Sequence, residues 1–179
     1  TGNRIGEPSE PVDAVTLLRN IRERFFEQVE KYTNIMVEAA NNASRAISLL
    51  PVPFLSTMMG GIETGYDMRD TEHQGTKYNG SGCLIHGLTV VSDSFVAIDC
   101  LLKDRPQDAE RLLEALRTNF EHDEELHQYL RSCPKFGNNN QTADSEAAQV
   151  AERVAKIVAA RKNYLGNPFR PDFSTPSTQ

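Results

Sequence analysis

Between residues 12 and 50, apolar or small side chains fall at Val15, Leu18, Ile21, Phe25, Val29, Tyr32, Met36, Ala39, Ala43, Ile47 and Leu50. Every step is three or four residues, the spacing of one face of an α-helix. Pro11 suits a first helical turn, where its missing N–H costs nothing. Pro51 and Pro53 end the run, because proline clashes with the turn before it. Asn41-Asn42 is the place where such a helix would kink. A long amphipathic helix over 12–50 needs a surface to lie on, so the feature commits the chain to a mainly α fold.

The rest of the chain follows the same logic over 54–133, with helices around a Gly-rich loop. A short apolar segment at 54–62 is stopped by Gly60, Gly61 and Gly65. Residues 66–82 are polar, carry Gly75, Gly80 and Gly82, and show neither helical nor strand period, which reads as an extended loop. A loop of that length in a compact chain is functional or unstructured. Residues 84–102 are apolar on nearly all sides and long enough for a buried helix. Asp104-Arg105-Pro106 opens a further helix with Leu112, Leu113, Leu116 and Phe120 inward. Residues 122–132 form a short helix closed by Pro134. In the loop at 134–142, Gly137 and three asparagines supply residues tolerant of left-handed angles. A helix over 143–165, capped by Thr142 or Asp144, carries the stripe Ala147, Val150, Val154, Ile157 and Arg161. Gly166 suits the position after its end. Pro168, Pro171 and Pro176 keep the tail at 166–179 extended. At most one or two short strands are expected, in the tail at 173–179. No internal repeat is present, and 1–179 reads as a single piece.

Composition narrows the partners. The formal charge is 19 − 25 = −6, which disfavours nucleic acid and anionic membranes, whose phosphates require a surplus of Lys and Arg. Cys83, Cys100 and Cys133 follow no framework of spacings, so they read as reduced thiols of a cytoplasmic protein. No apolar run approaches the roughly 20 residues of a membrane helix, and the first residues show no charged-then-apolar signal.

Three constellations have chemical content. Glu124-x-x-His127 places a carboxylate and an imidazole on one helical face, as in carboxylate-bridged metal bundles. Those need a second copy, and Asp70-x-x-His73 is a poor one. With Glu121, His122, Asp123 and Glu125 alongside, a solvated polar face explains the cluster more simply, and no metal site is expected. Cys83-x-x-His86 pairs two good zinc ligands, but a structural site needs four. It is equally a thiol–imidazole nucleophile pair or, more plainly, a buried inert thiol at the start of a helix. Were Cys83 set at that helix N-terminus, the dipole would favour its thiolate. Gly80-x-Gly82 before a helix has the form of an anion-binding turn, yet a tight packing turn accounts for it.

The words Pro53-Phe54-Leu55-Ser56, Gly75-Thr76-Lys77-Tyr78-Asn79, Gly87-Leu88-Thr89-Val90-Val91-Ser92-Asp93-Ser94 followed by Ala97-Ile98, Cys133-Pro134-Lys135-Phe136-Gly137-Asn138, and Ser174-Thr175 occur in that order. In words and order the chain resembles the glycyl radical enzymes, the pyruvate formate-lyase-like family. Asn139 departs from the pattern, since many members carry Asp there. The resemblance implies a helical segment of a ten-stranded α/β barrel, with at most one or two of the strands in this chain. In that family a radical stored on a backbone glycine passes to a cysteine at the barrel centre, and the thiyl radical abstracts hydrogen from the substrate. Members cleave pyruvate, dehydrate diols, split choline or decarboxylate arylacetates, and the 75–79 loop is closer to the dehydratase and decarboxylase branches.

No Cys here is followed at two residues by Glu, and no glycine lies in an Arg-Val-x-Gly-Tyr setting. The radical Cys and Gly are therefore expected outside the chain, which supplies no catalytic residue and no cofactor site. The full enzyme would take its glycyl radical from a radical S-adenosylmethionine activating enzyme and form a homodimer. The partners implied are that activating enzyme and the remainder of the same polypeptide. Tyr78, Asn79, Cys83 and His86 are the candidates to neighbour substrate. The chain alone would be inert, because a thiyl radical requires the two loops nearly in contact, and its uncovered apolar faces would drive association. The competing reading is a freestanding helical interaction module without catalysis.

Overall fold

A computed structural model describes residues 12–70, 72 and 81–174. The described residues fall into two compact units, one drawn from 12–28 and 87–153, the other from those within 29–86 and 154–174. The elements in chain order are α1 (Ala14–Arg19), α2 (Ile21–Ser48), α3 (Pro53–Ser56), a wide turn (Thr57–Gly61), α4 (Ile62–Thr64), β1 (Ser81–Ile85), α5 (Leu88–Asp104), a single 3₁₀ turn (Pro106–Asp108), α6 (Ala109–Arg117), α7 (Glu124–Ser132), α8 (Gln141–Ala159) and β2 (Phe169–Phe173).

In the first unit, the core cluster is Ala14, Leu18, Leu101, Ala109, Leu112, Ala115 and Leu126, contributed by α1, α5, α6 and α7. The helix expected over 12–50 is two helices. Asp13 caps α1 by accepting the Thr16 N–H at 2.9 Å. The Asn20 carbonyl then accepts the Arg24 N–H at 3.1 Å and starts α2. Asn at a helix start competes well for backbone groups, so the break falls there. At the expected kink, α2 runs on unbroken, with the Asn41 side chain donating to the Lys162 carbonyl at 3.0 Å. Arg22 ties α2 to α5 and α8. It donates to both carboxylate oxygens of Asp99, at 3.0 and 2.6 Å, and from Nε to Glu146 at 2.9 Å. Arg153 of α8 pairs with Glu23 and lies over the Phe26 ring at 4.0 Å.

The loop after α7 joins three helices. Lys135 Nζ donates to the Leu130 and Cys133 carbonyls at 3.0 and 2.8 Å, covering the open end of α7. The Phe136 N–H donates to Asp93 of α5 at 2.8 Å, and the Gly137 N–H to Asp144 of α8 at 3.1 Å. Asn140, rather than the expected Thr142 or Asp144, caps α8 by accepting the N–H groups of Thr142 and Ala143. The cap lies two residues before Thr142 and four before Asp144, whose side chain accepts the Gly137 N–H instead.

In the second unit, β1 and β2 pair in parallel, with Ser81 opposite Phe169 and Ile85 opposite Phe173. Local pattern makes residues 81–85 partly loop and partly helix, and puts the strand of the tail at 173–179. Pairing with β2, a long-range partner that local periodicity cannot register, decides the strand at 81–85. The tail strand starts earlier, at Phe169, and 175–179 lie outside the described residues. Gly87, at φ +80, turns the chain so that α5 begins at Leu88. Pro171 lies opposite Cys83 in β2. It removes one N–H from the ladder, a loss strands accept at an edge.

Gly166 is not the residue after α8, which ends at Ala159. At φ +83 it closes a turn built on buried Asn163, whose side-chain oxygen accepts the N–H groups of Leu165 and Asn167. Arg161 anchors this unit by donating to Asn34 at 2.7 Å, to Glu30 at 2.7 Å and to the Ile157 carbonyl at 3.1 Å. No single helix among the described residues is long and apolar enough to cross a membrane.

Candidate functional site

Of the four candidate residues, Tyr78 and Asn79 lie outside the described residues, as do Gly80 and His73 of two other constellations. Cys83 and His86 are both placed, and the fold separates their roles. Along β1 exposure alternates, with Ser81, Cys83 and Ile85 partly covered and Gly82 and Leu84 open. A spacing of three puts two residues on one face of a helix but on opposite faces of a strand. The expected helix start at Cys83 is therefore corrected, and with it the helix dipole that would have favoured a thiolate. The Cys83 thiol faces Met36 Sδ at 3.9 Å, and burial pushes its pKa up. Both features favour the packed-thiol reading of Cys83 over the nucleophile reading.

His86 is exposed and directly follows the carboxyl end of β1. Its Nδ1 lies 2.8 Å from the Ser174 carbonyl oxygen. A carbonyl can only accept, so Nδ1 carries the hydrogen and the neutral ring keeps its lone pair on Nε2. Ser174 directly follows the carboxyl end of β2, and its N–H donates to the Ile85 carbonyl at 3.3 Å. The two residues thus close the same end of the parallel pair. An imidazole held in this way can accept a proton or a hydrogen bond through Nε2.

The acidic cluster near α7 is organised by arginines. Arg111 donates to Asp123 at 2.6 and 2.5 Å and to Glu125 at 2.8 Å, and Arg105 donates to Glu125 at 2.6 Å. Hydrogen bonds from Arg111 hold Asp123 below the usual carboxylate range, and those from Arg105 and then Arg111 do the same for Glu125. His127 Nδ1 lies 3.7 Å from Glu124 and its ring stacks on Phe120 at 4.8 Å. Among the described residues no three His, Cys, Asp or Glu side chains gather to hold a metal ion. Cys133 is buried at the end of α7, and burial first, then neighbouring Cys100, pushes its thiol up to about 11.

Sequence reasoning missed two features. One is Asp67, whose carboxylate accepts the Val52 N–H at 2.7 Å, the Ser56 hydroxyl at 2.9 Å and the Arg69 N–H at 2.9 Å. An Asp two residues before a turn amide is an Asx-turn signal that was available in the Asp67-Met68-Arg69 stretch. The other is an apolar groove among α5, α6 and α7, which no single segment announces.

A family model described as pyruvate formate lyase-like matches residues 1–179. The chain is 27% identical over 158 residues to trans-4-hydroxy-L-proline dehydratase of Clostridioides difficile, covering 84% of this chain and 20% of that protein. The solved structure of a glycyl radical enzyme from Archaeoglobus fulgidus matches with a TM-score of 0.79 and 30% identity, covering 92% of this chain and 20% of that one. The B12-independent glycerol dehydratase from Clostridium butyricum matches with a TM-score of 0.78 and 29% identity, covering 86% and 20%. The chain thus spans about a fifth of the length of the relatives it matches. Its helical fold with a parallel strand pair is the fold of the matching part of those enzymes.

Proposed function

The chain belongs to the pyruvate formate lyase-like family, and from that membership we propose that it is one part of a longer glycyl radical enzyme acting as a lyase on a small organic substrate. The observation that carries this reading is the match of the family over all of 1–179. The dehydratases of hydroxyproline and glycerol among its relatives favour elimination over acyl transfer. In this reading the glycyl radical, installed by a radical S-adenosylmethionine activating enzyme, supplies the hydrogen-abstracting chemistry from segments outside the chain.

What the chain's own residues do is hold a wall of the site. In α/β barrels and sheets, ligands gather at the carboxyl ends of parallel strands. His86 and Ser174 occupy that end of the β1–β2 pair. Of the candidates Tyr78, Asn79, Cys83 and His86, we assign His86 the substrate-facing role, with Nε2 as hydrogen-bond acceptor. Its exposure and fixed tautomer support this. Cys83 packs against Met36 instead, and Tyr78 and Asn79 remain candidates on the preceding segment.

The test uses the whole protein that contains this chain, treated under anoxic conditions with its activating enzyme. The expected result is the doublet of a glycyl radical by electron paramagnetic resonance, and turnover of one of a panel of hydroxylated substrates such as 4-hydroxyproline or glycerol. Failure to form any radical, with a competent activating enzyme, would sink the reading. His86→Ala is expected to raise KM or lower kcat while leaving the radical signal intact.

A further inference from the structure

The tautomer of His86 limits what its end of the strand pair can recognise. Nδ1 is committed to Ser174, with the backbone carbonyl oxygen at 2.8 Å and the hydroxyl oxygen at 3.4 Å. That carbonyl is itself held, because the Ser174 N–H donates across the pair to the Ile85 carbonyl at 3.3 Å. The partner is an uncharged carbonyl rather than a carboxylate, so the ring makes its bond in the neutral form. Nε2 then carries a lone pair and no hydrogen. It can accept from an O–H or N–H group, and it has nothing to give an oxygen that only accepts.

The surroundings sharpen that choice. Ile85 and Phe173 are register partners and lead directly into His86 and Ser174. Phe173 is 46% exposed, so an apolar ring borders this end. A ligand without a donor would cover Nε2 and leave it unpaired, which is the penalty by which a site built on one hydrogen bond discriminates. Charge acts in the same direction. Exposed Asp172 and Arg170 stand two and four residues before Ser174 on β2. At a strand rise of about 3.3 Å per residue they lie roughly 7 and 13 Å back from it. On the strand pair the formal charge nearest this end is therefore negative, which favours an ammonium and opposes a carboxylate or sulfonate.

We propose that His86 is a specificity-determining acceptor: it takes a substrate through a hydroxyl or ammonium group and rejects one that sets a carboxylate or sulfonate oxygen against Nε2. The inference deepens the substrate-facing role given to His86 above and rests on it. The substrate class it selects is small polyols and amino alcohols, bound at this point by their donor group.

The experiment uses the whole protein that contains this chain. Diethyl pyrocarbonate acylates a ring nitrogen that carries a lone pair, and mass spectrometry of the His86 peptide gives the rate of modification. His86 is expected to react in the free protein. Propane-1,2-diol and 1-aminopropan-2-ol should each slow the reaction severalfold. Propionate and 1,2-dimethoxyethane, which bring acceptor oxygens without a donor, should leave it unchanged. Asp172→Asn should weaken protection by the amino alcohol severalfold more than protection by the diol. An unreactive His86, protection by neither donor compound, protection by propionate or the diether equal to that by the diol, or equal effects of Asp172→Asn on diol and amine overturns the proposal. The glycyl radical is read in the same preparation. Selective protection without a radical counts against the enzymatic reading alone, and a radical without selective protection counts against the His86 assignment alone.

Discussion

Asp67 shows how much one side chain can organise. Its carboxylate fixes Val52, Ser56 and Arg69, and the Arg69 guanidinium in turn donates to the Leu50 carbonyl at 2.8 Å. The Arg69 N–H, opposed by slight burial and helped by Ser56 and Val52, holds Asp67 below the usual carboxylate range. A group depressed on folding stabilises above its unfolded pKa, and that contribution is lost as pH falls through the folded value. Acidification should therefore loosen residues 50–69 before the core, and Asp67→Asn should reproduce the loosening at neutral pH. Amide hydrogen exchange at Val52 and Arg69 checks both, and unchanged protection in Asp67→Asn would remove Asp67 as the organiser. Leu126 makes a different kind of contribution. It is 0% exposed at the centre of the first unit, so Leu126→Ala should cost about 2–5 kcal/mol in urea unfolding.

At the scale of elements, the loop from Cys133 to Asn140 acts as a clasp on α5, α7 and α8. It has two left-handed positions, Asn139 at φ +55 and Gly137 at φ +83, the latter with its N–H on Asp144; Gly137 is the one that demands glycine. A Cβ there is opposed by the left-handed backbone rather than by a neighbour, since nothing lies within 4 Å. Gly137→Ala should therefore cost roughly 1 kcal/mol, and Gly137→Val more. Thermal unfolding of both variants, ranked as stated, checks the cause. Arg22 is the side-chain counterpart, joining α2, α5 and α8. Arg22→Met keeps the stem but leaves Glu146, 17% exposed, without that partner. A loss of about 1–2 kcal/mol is expected, reduced by the solvent that reaches Asp99, and partial rescue by Glu146→Gln would identify the stranded carboxylate.

Legibility also varies by element. The stripe of α8 is readable, and Ala147, Val150 and Val154 are buried, although Val158 rather than Ile157 completes the face. The stripe of the first helical run is readable as far as Val29. Leu18 is buried and Ile21, Phe25 and Val29 are partly buried, with Phe26 rather than Phe25 the fully covered ring, while Tyr32, Met36, Ile47 and Leu50 stand exposed. Past Val29 the covered face runs through Thr33 and Val37, one position beyond the expected Tyr32 and Met36, so the stripe drawn from spacing alone leaves it there.

Across the whole molecule, the exposed apolar residues are many and include Leu49, Phe54, Met58 and Ile62, which are 72–81% exposed. Uncovered apolar surface on that scale drives association. The 179-residue chain by itself should sediment above monomer size and bind a hydrophobic dye, and Phe54→Glu with Met58→Glu should reduce both. It should also form no glycyl radical with the activating enzyme, because both reacting loops are proposed to lie elsewhere.

Residue order alone was enough to identify the helical class, the position of most helices and the family, since apolar spacing and local words are properties of neighbours along the chain. Whether residues 81–85 form helix or strand, the face on which Cys83 lies, and the pairing of His86 with Ser174 were decided only when β2 came alongside from 88 positions away. Contacts at that separation leave no periodicity in the local sequence, and the closing of the chain upon itself creates them.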